Sequence, residues 1–336
     1  MSTPTASPGP LPAKTRDAIL AAIVAVVAML AAITAWLSPT APTPVPTPTP
    51  TPSATPTPTL SPSRSPSSTP SPTATTSSVT GCYAKPSACG FPDGTNTGVE
   101  AGVTLKPSGS LTVTTPGTVV ANLDITGTLT IAANNVTVRD VKVDATGGNC
   151  AICTSWTHAG IVIQHVEIDG HHRSPSVPGI VGGGYTATAL NIHGTGDAID
   201  LNGNETVKDS WIHDLQVSAG DHSDGVQSTG TDADVISHNT IDATLPGGGV
   251  ANSALIIGAD LANMGTVTVS NNLLAGGNYT VYSGADAGYT SGTITFTGNR
   301  FVANAQYGPC SFQPSAGRSI GFTGNVWDAT GAALTC

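Results

Sequence analysis

The sequence predicts an all-β chain folded as a parallel β-helix, a solenoid of stacked coils, and three observations carry that prediction. One apolar strand–turn–strand phrase recurs along residues 136–327. Its copies follow one another at intervals of one coil. The composition, 39 Gly and 26 Pro with only 10% charged and 4% aromatic residues, favours strands and tight turns over helices.

The phrase reads VTVRDVKV at residues 136–143 and IVIQHVEI at 161–168. It returns as VKDSWI at 207–212, ISHNTI at 236–241, VSNNLL at 269–274, FTGNRF at 296–301 and FTGNVW at 322–327. Aligning Val138, Ile163, Val207, Ile236, Val269, Phe296 and Phe322 gives steps of 25, 44, 29, 33, 27 and 26 residues. The 44 divides into two of 22, which places a further copy near Leu190 to Ile192. Period-2 alternation inside each copy reads as strand. A single short strand cannot bury its apolar face, but one copy per coil stacks Val, Ile, Leu and Phe into a continuous column. Asn and Gly gather at the bends, where a left-handed backbone is cheap, and stacked Asn can hydrogen-bond between coils. An antiparallel sandwich has similar strands but no regular repeat of one phrase. The helix is expected to begin near residue 100 and run to the C-terminus in coils of 22–33 residues.

Ahead of the repeats lie an anchor and a stalk. Residues 18–37 (AILAAIVAVVAMLAAITAWL) form an uncharged run of 20, the length that spans a bilayer as a helix. Lys14 and Arg16 precede it and no cation follows before Arg64, so residues 1–17 are expected in the cytoplasm and everything after Leu37 outside. The run exceeds a signal-peptide core and lacks a clear small-x-small site, which favours an uncleaved signal anchor over a cleaved leader. Residues 38–80 form a disordered Pro/Thr/Ser linker with Thr-Pro repeats at 47–52. As polyproline II, a 41-residue tract at 38–78 reaches on the order of 130 Å. Residues 81–336 are the β-helix domain of a single-pass cell-membrane protein facing the extracellular side.

From Gly81 onward the chain carries 20 Asp+Glu against 8 Lys+Arg, a net of −12. That balance argues against a nucleic-acid partner and, without a bridging cation, against a polyanionic sugar. Cys82, Cys89, Cys150, Cys153, Cys310 and Cys336 all follow the apolar run, which fits disulfides in an oxidising compartment. The pairing 82–89, 150–153 and 310–336 is expected, against a redox or zinc reading of Cys150 and Cys153.

With its V-x-V-x-x-N-x-[FIL] phrasing, the chain over residues 100–336 resembles the right-handed parallel β-helix superfamily of pectate-lyase-like proteins. That superfamily includes polysaccharide lyases, polygalacturonase-like hydrolases, epimerases, esterases and phage tailspikes, so the resemblance implies a glycan partner without choosing a chemistry. Polygalacturonase-like enzymes carry NTD, DD, GHG and RIK motifs. Here Gly196-Asp197 and Ser223-Asp224-Gly225 are faintly similar, and GHG and RIK are absent.

A second phrase ahead of the apolar one supplies candidate chemistry. Asp197 and Asp200 stand in one coil, and Asp224 and Gln227 stand 27 residues on. Asp197 is therefore expected beside Asp224, and Asp200 beside Gln227. Later coils carry 254–257, 280–282 and 311–313 in that slot. Glycosidic hydrolysis needs a carboxylic acid at the leaving oxygen and a second carboxylate to activate water or attack. Asp197 and Asp224 are the candidate pair, with His222 tuning it. Asp200, Asp221, Gln227, Trp211 and Tyr282 are candidate substrate contacts, and Tyr185 and Tyr279 further stacking faces. No cofactor is needed for that route. In a lyase, Asp197, Asp200, Asp221 and Asp224 would instead hold Ca²⁺, with Lys208, Arg173 or Arg300 as base. A non-catalytic adhesin or glycan-binding module is the third reading. The aspartates are also ordinary turn residues, His171-His172-Arg173 reads as a solvated loop as readily as a metal site, and His193, His213 and His238 fit turn or ladder hydrogen bonds. The oligomeric state is left open.

Overall fold

The computed structural model describes residues 81–230, 233–285, 288–313 and 319–336; the expected tail, membrane helix and linker at 1–80 lie outside them. The chain divides into units Met1–Thr73 and Ala74–Cys336, and everything described belongs to the second. Among the described residues, no helix is long and apolar enough to cross a membrane. The helical element there is one 3-10 turn at Pro86–Cys89.

The rest is a solenoid of 23 strands, each paired in parallel with the equivalent strand of the next coil. Val120, Val138, Ile163, Ala187, Val207, Ile236, Val269, Phe296 and Phe322 form one unbroken register column. The aligned residues of the sequence repeat are thus neighbours in the sheet. The interval of 44 does hold a coil: Ala187 occupies the column, and Ile192 pairs with Ile168 and Ile212. An earlier coil at Val120, 18 residues before Val138, shows that coils are shorter than the expected minimum of 22.

Two residues beyond each column position the backbone turns left-handed. Asn122, Asp140, His165, Ala189, Asp209, His238 and Asn271 have φ between 51 and 56°, and Gly298 and Gly324 have 67 and 66°. Asn, Asp and Gly tolerate this conformation, which is why they mark the bends. The bend separates a first stack of strands, carrying the column, from a second stack. The second stack includes Asn191–His193, Trp211–His213 and Thr240–Ala243. A third stack includes Ile180–Gly182, Ile199–Leu201, Asp224–Ser228, Ser253–Ala259, Tyr279–Ala285 and Gly308–Gln313. Inward side chains of all three stacks form one apolar core.

The residue after the left-handed position points inward and changes character along the axis. Val141, Val166 and Leu190 are buried and apolar; Ser210, Asn239, Asn272, Asn299 and Asn325 are buried and polar. The polar set forms a ladder. Ser210 donates its N–H to Asn239 Oδ1 (3.0 Å), and Asn239 donates both N–H and Nδ2 to Asn272 Oδ1 (2.9 Å each). Asn272 repeats this to Asn299, and Asn299 to Asn325. Each Nδ2 also reaches a strand carbonyl, that of Asn272 the oxygen of Ile236 at 3.0 Å.

Residues 82–100 form a strap that runs back along the solenoid beside the second stack. Cys82 and Tyr83 donate backbone N–H groups to the two oxygens of Asp328 in the last coil, at 3.0 Å each. Further on, the Tyr83 hydroxyl meets Asp242 (2.7 Å), Phe91 stacks on His238, Gly98 donates its N–H to Ala189 O, and Glu100 meets Asp140. The three disulfides form as expected, Cys82–Cys89, Cys150–Cys153 and Cys310–Cys336, which leaves no thiolate at Cys150 or Cys153 for zinc. Because the strap starts at Asp328, Cys82–Cys89 lies at the C-terminal coil.

Candidate functional site

The third stack sets the candidate carboxyls side by side. Val226 pairs with Ile199 and Gln227 with Asp200, which puts Asp224 one coil above Asp197. The backbone N–H of Asp224 donates to Asp197 Oδ1 at 2.7 Å, and Gln227 Nε2 reaches Asp200 Oδ1 (3.1 Å) and Asp197 Oδ2 (3.4 Å). Burial and the negative charges of Asp200 and Asp224 push the Asp197 carboxyl up to about 8. Burial raises Asp200 too, opposed by the Gln227 amide. Asp224 is raised by burial to about 7, against hydrogen bonds from Ser253 and Asn252.

Exposure separates these carboxyls. Asp197 and Asp200 are partly exposed. Asp224 is 1% exposed; Asn252 Nδ2 holds its oxygens at 3.0 and 3.3 Å, and the Ser253 hydroxyl donates to Oδ1. Direct substrate contact through Asp224 is therefore closed in this conformation. Beside Asp197 a cleft of about 390 Å³ is lined by Pro175, Ser176, Pro178, Asp221 and His222. Asp221 accepts from Ser176 Oγ at 2.6 Å.

The aromatic candidates divide. Tyr282 lies on the same face as Gln227, two coils along through Ile256. It packs edge-on against Tyr279, and Tyr279 against Tyr307, a ring that sequence reading missed. Tyr185 is 2% exposed and inside the core, so it offers no stacking face. Trp211 belongs to the second stack, lies on His213 with ring centres 3.4 Å apart, and is packed by Gly94 of the strap. It does not face the Asp197 cleft.

Among the described residues, Asp144, Asp169 and His171 form the one group of three metal-ligating side chains whose ligand atoms lie within 4.8 Å of one another; Asp197, Asp200, Asp221 and Asp224 do not converge this way. Of the candidate bases, Arg300 is committed to Asp328 (Nε to Oδ1, 2.8 Å) and Lys208 lies in the first stack. Arg173 is exposed, two residues before Pro175 of the cleft. The expected hydrogen-bonding roles hold for His213, 2.8 Å from Asp214, and His238, 2.7 Å from Asp209.

A buried carboxyl pair also escaped sequence reading. Glu205 and Asp234 are each 1% exposed, in adjacent coils. Glu205 accepts N–H groups from Gly184 (2.8 Å), Asn202 (3.1 Å) and Gly203 (2.6 Å), while Asp234 Oδ1 accepts the Glu205 N–H at 3.1 Å. Burial and the Asp234 charge push the Glu205 carboxyl up. The available signal was parity: both residues occupy inward positions two before the column residues Val207 and Ile236.

Fold and groove define a class, an all-β parallel solenoid with a strip of carboxyls of raised pKa and tyrosines along one face. Comparison with family models, with curated proteins and with solved structures gave no match.

Proposed function

We propose that this chain is a cell-surface carbohydrate-active enzyme that cleaves glycosidic bonds of a wall or extracellular polysaccharide. In this reading the solenoid is a right-handed, pectate-lyase-like β-helix, held outside the cell by the apolar segment 18–37 and the Pro/Thr/Ser linker. The observation that carries it is the partly exposed Asp197 lining an open cleft, with Asp200 joined to it through the Gln227 amide. Asp197, raised to about 8, keeps a proton near neutral pH and serves as general acid. Asp200, bonded by the Gln227 amide, is the carboxylate that activates water or attacks the sugar. Asp224 then positions rather than reacts, raising Asp197 by its charge while donating an N–H to it. Asp221 and His222 line the far wall. Tyr282 stands about 10 Å along the axis from Gln227, two coil spacings away, as a sugar-stacking face.

A binding-only role is the second reading, favoured by the exposed Tyr307 next to Tyr279. Incubating the full-length chain in detergent with a polysaccharide panel separates the readings. Hydrolysis releases reducing ends, elimination gives an absorbing double bond, and binding alone gives saturable retention without products. Asp197→Asn is expected to lower turnover by about 100-fold or more with an unchanged melting temperature. Unaltered turnover in that variant removes Asp197 from the mechanism.

A further inference from the structure

The geometry points to a transition-metal site of the zinc class on the second stack, formed by Asp144, Asp169 and His171 with His193 beside them. It is independent of the third-stack carboxyls. Asp144, Asp169 and His193 are in register on three successive coils, each one strand position beyond an inward Val or Ile, so all three project outward. His171 follows Asp169 by two residues in a left-handed turn (φ 57°), its N–H donating to Asp169 Oδ1 at 2.7 Å. The turn folds in over Gly194, where a Cβ would sit 2.9 Å from His171 N. That brings the imidazole back over the carboxylates.

The ion-pair separations around His171 and His193 are longer than those of a close hydrogen bond. His171 Nδ1 is 3.4 Å from Asp169 Oδ2, and its Nε2 is 3.5 Å from Asp144 Oδ1. His193 Nδ1 is 3.7 Å from Asp169 Oδ1, and its Nε2 is 3.6 Å from Glu167 Oε1. Elsewhere in the same chain, His213 and His238 close on their carboxylates to 2.8 and 2.7 Å. Tetrahedral ligands with bonds of about 2.0–2.2 Å stand roughly 3.3–3.6 Å apart; one ligand atom each from Asp144, Asp169 and His171 lies within 4.8 Å of the others, a separation that a small side-chain rotation closes. Asp144 Oδ1 is shielded from solvent, with the Lys142 ammonium at 3.3 Å and His171 Nε2 at 3.5 Å as its neighbours.

The donor set selects the ion. Imidazole with carboxylate suits zinc, nickel or copper, whereas calcium takes six to eight oxygens and no imidazole. The competing cation is Lys142, 3.3 Å from Asp144 Oδ1 and 3.4 Å from Glu167 Oε1. Asp144 and Glu167 share that one ammonium, which can keep Glu167 while the ion takes Asp144. Bound there, a zinc ion would tie adjacent coils together on the side the strap flanks.

Zinc titration of the purified full-length chain against a chromophoric chelator tests this. One equivalent of Zn²⁺ is expected to bind, with excess Ca²⁺ failing to displace it. Asp169→Asn and His171→Ala should each weaken binding on the order of tenfold or more, while His238→Ala leaves it unchanged. Thermal unfolding without metal controls for misfolding, since these side chains are on the surface. Absence of stoichiometric binding, survival of binding in both variants, or equal weakening by His238→Ala overturns the site.

Discussion

The bends at Val141, Val166 and Leu190 and those at Asn239, Asn272 and Asn299 make the same left-handed turn and fill it by opposite means. In the early coils each bend buries an aliphatic side chain against its neighbours. In the later coils each bend buries an amide that accepts from the coil before and donates to the coil after. An aliphatic stack is a sum of local contacts, whereas an amide ladder couples successive coils because every member is both donor and acceptor. The change of regime falls at Ser210, whose hydroxyl accepts the Leu190 N–H at 3.0 Å and donates to Lys208 O while its own N–H goes to Asn239. The same coil carries Glu205, so the boundary between regimes is also where the buried carboxyl pair sits.

The largest break in that comparison is Asn272→Ala. It strands the buried Asn239 N–H and Ile236 carbonyl, which at about 1–3 kcal/mol per unpaired group sums to ~4 kcal/mol, read from the urea midpoint. Val166→Ala removes only packing and should cost about 2 kcal/mol by the same measurement. If the two losses prove equal, the ladder adds nothing beyond packing. The smallest expected effect is Glu205→Gln at the boundary. The folded Glu205 carboxyl is raised above its ordinary value of 4.5, so the native state holds the extra proton. Its contribution to stability is complete below about pH 4.5 and is lost as pH rises through the folded value. Glu205→Gln should therefore flatten the fall in melting temperature between about pH 5 and 9. An unchanged slope would show that the pair does not hold a proton.

What was legible in the sequence was whatever repeats along one stack. The column from Val138 to Phe322 could be aligned because alternation and bend residues recur in each coil, and the pairing of Asp197 with Asp224 followed from the same arithmetic. Two coils were harder. Ala187 is too weakly apolar to mark its column, and the coil at Val120 precedes the first clear phrase. The facing of Trp211 and Tyr185 was not legible, because which stack a strand joins and which face a bend leaves outward depend on the whole coil. Parity did hold usable information at Glu205 and Asp234, two carboxyls at inward positions. The strap left no periodic trace: its contacts are single residues such as Phe91 and Gly98 meeting partners a hundred or more positions away or on another coil's carbonyl.

The strap also sets how the solenoid carries load. The chain enters at Gly81 beside Asp328, and Asp328 is gripped from the other side by Arg300. A pull applied through the residues ahead of Gly81 therefore meets the last coil first, at two N–H bonds to one braced carboxylate and a loop closed by Cys82–Cys89. Beyond that grip, the contacts at Asp242 and His238 on one coil, then at Ala189 and Asp140 on earlier coils, run down the axis. Tension along that axis loads them in shear together instead of peeling coils from one end, so the same segment that fastens the first residues to the last coil spreads a stretching force over most of the stack.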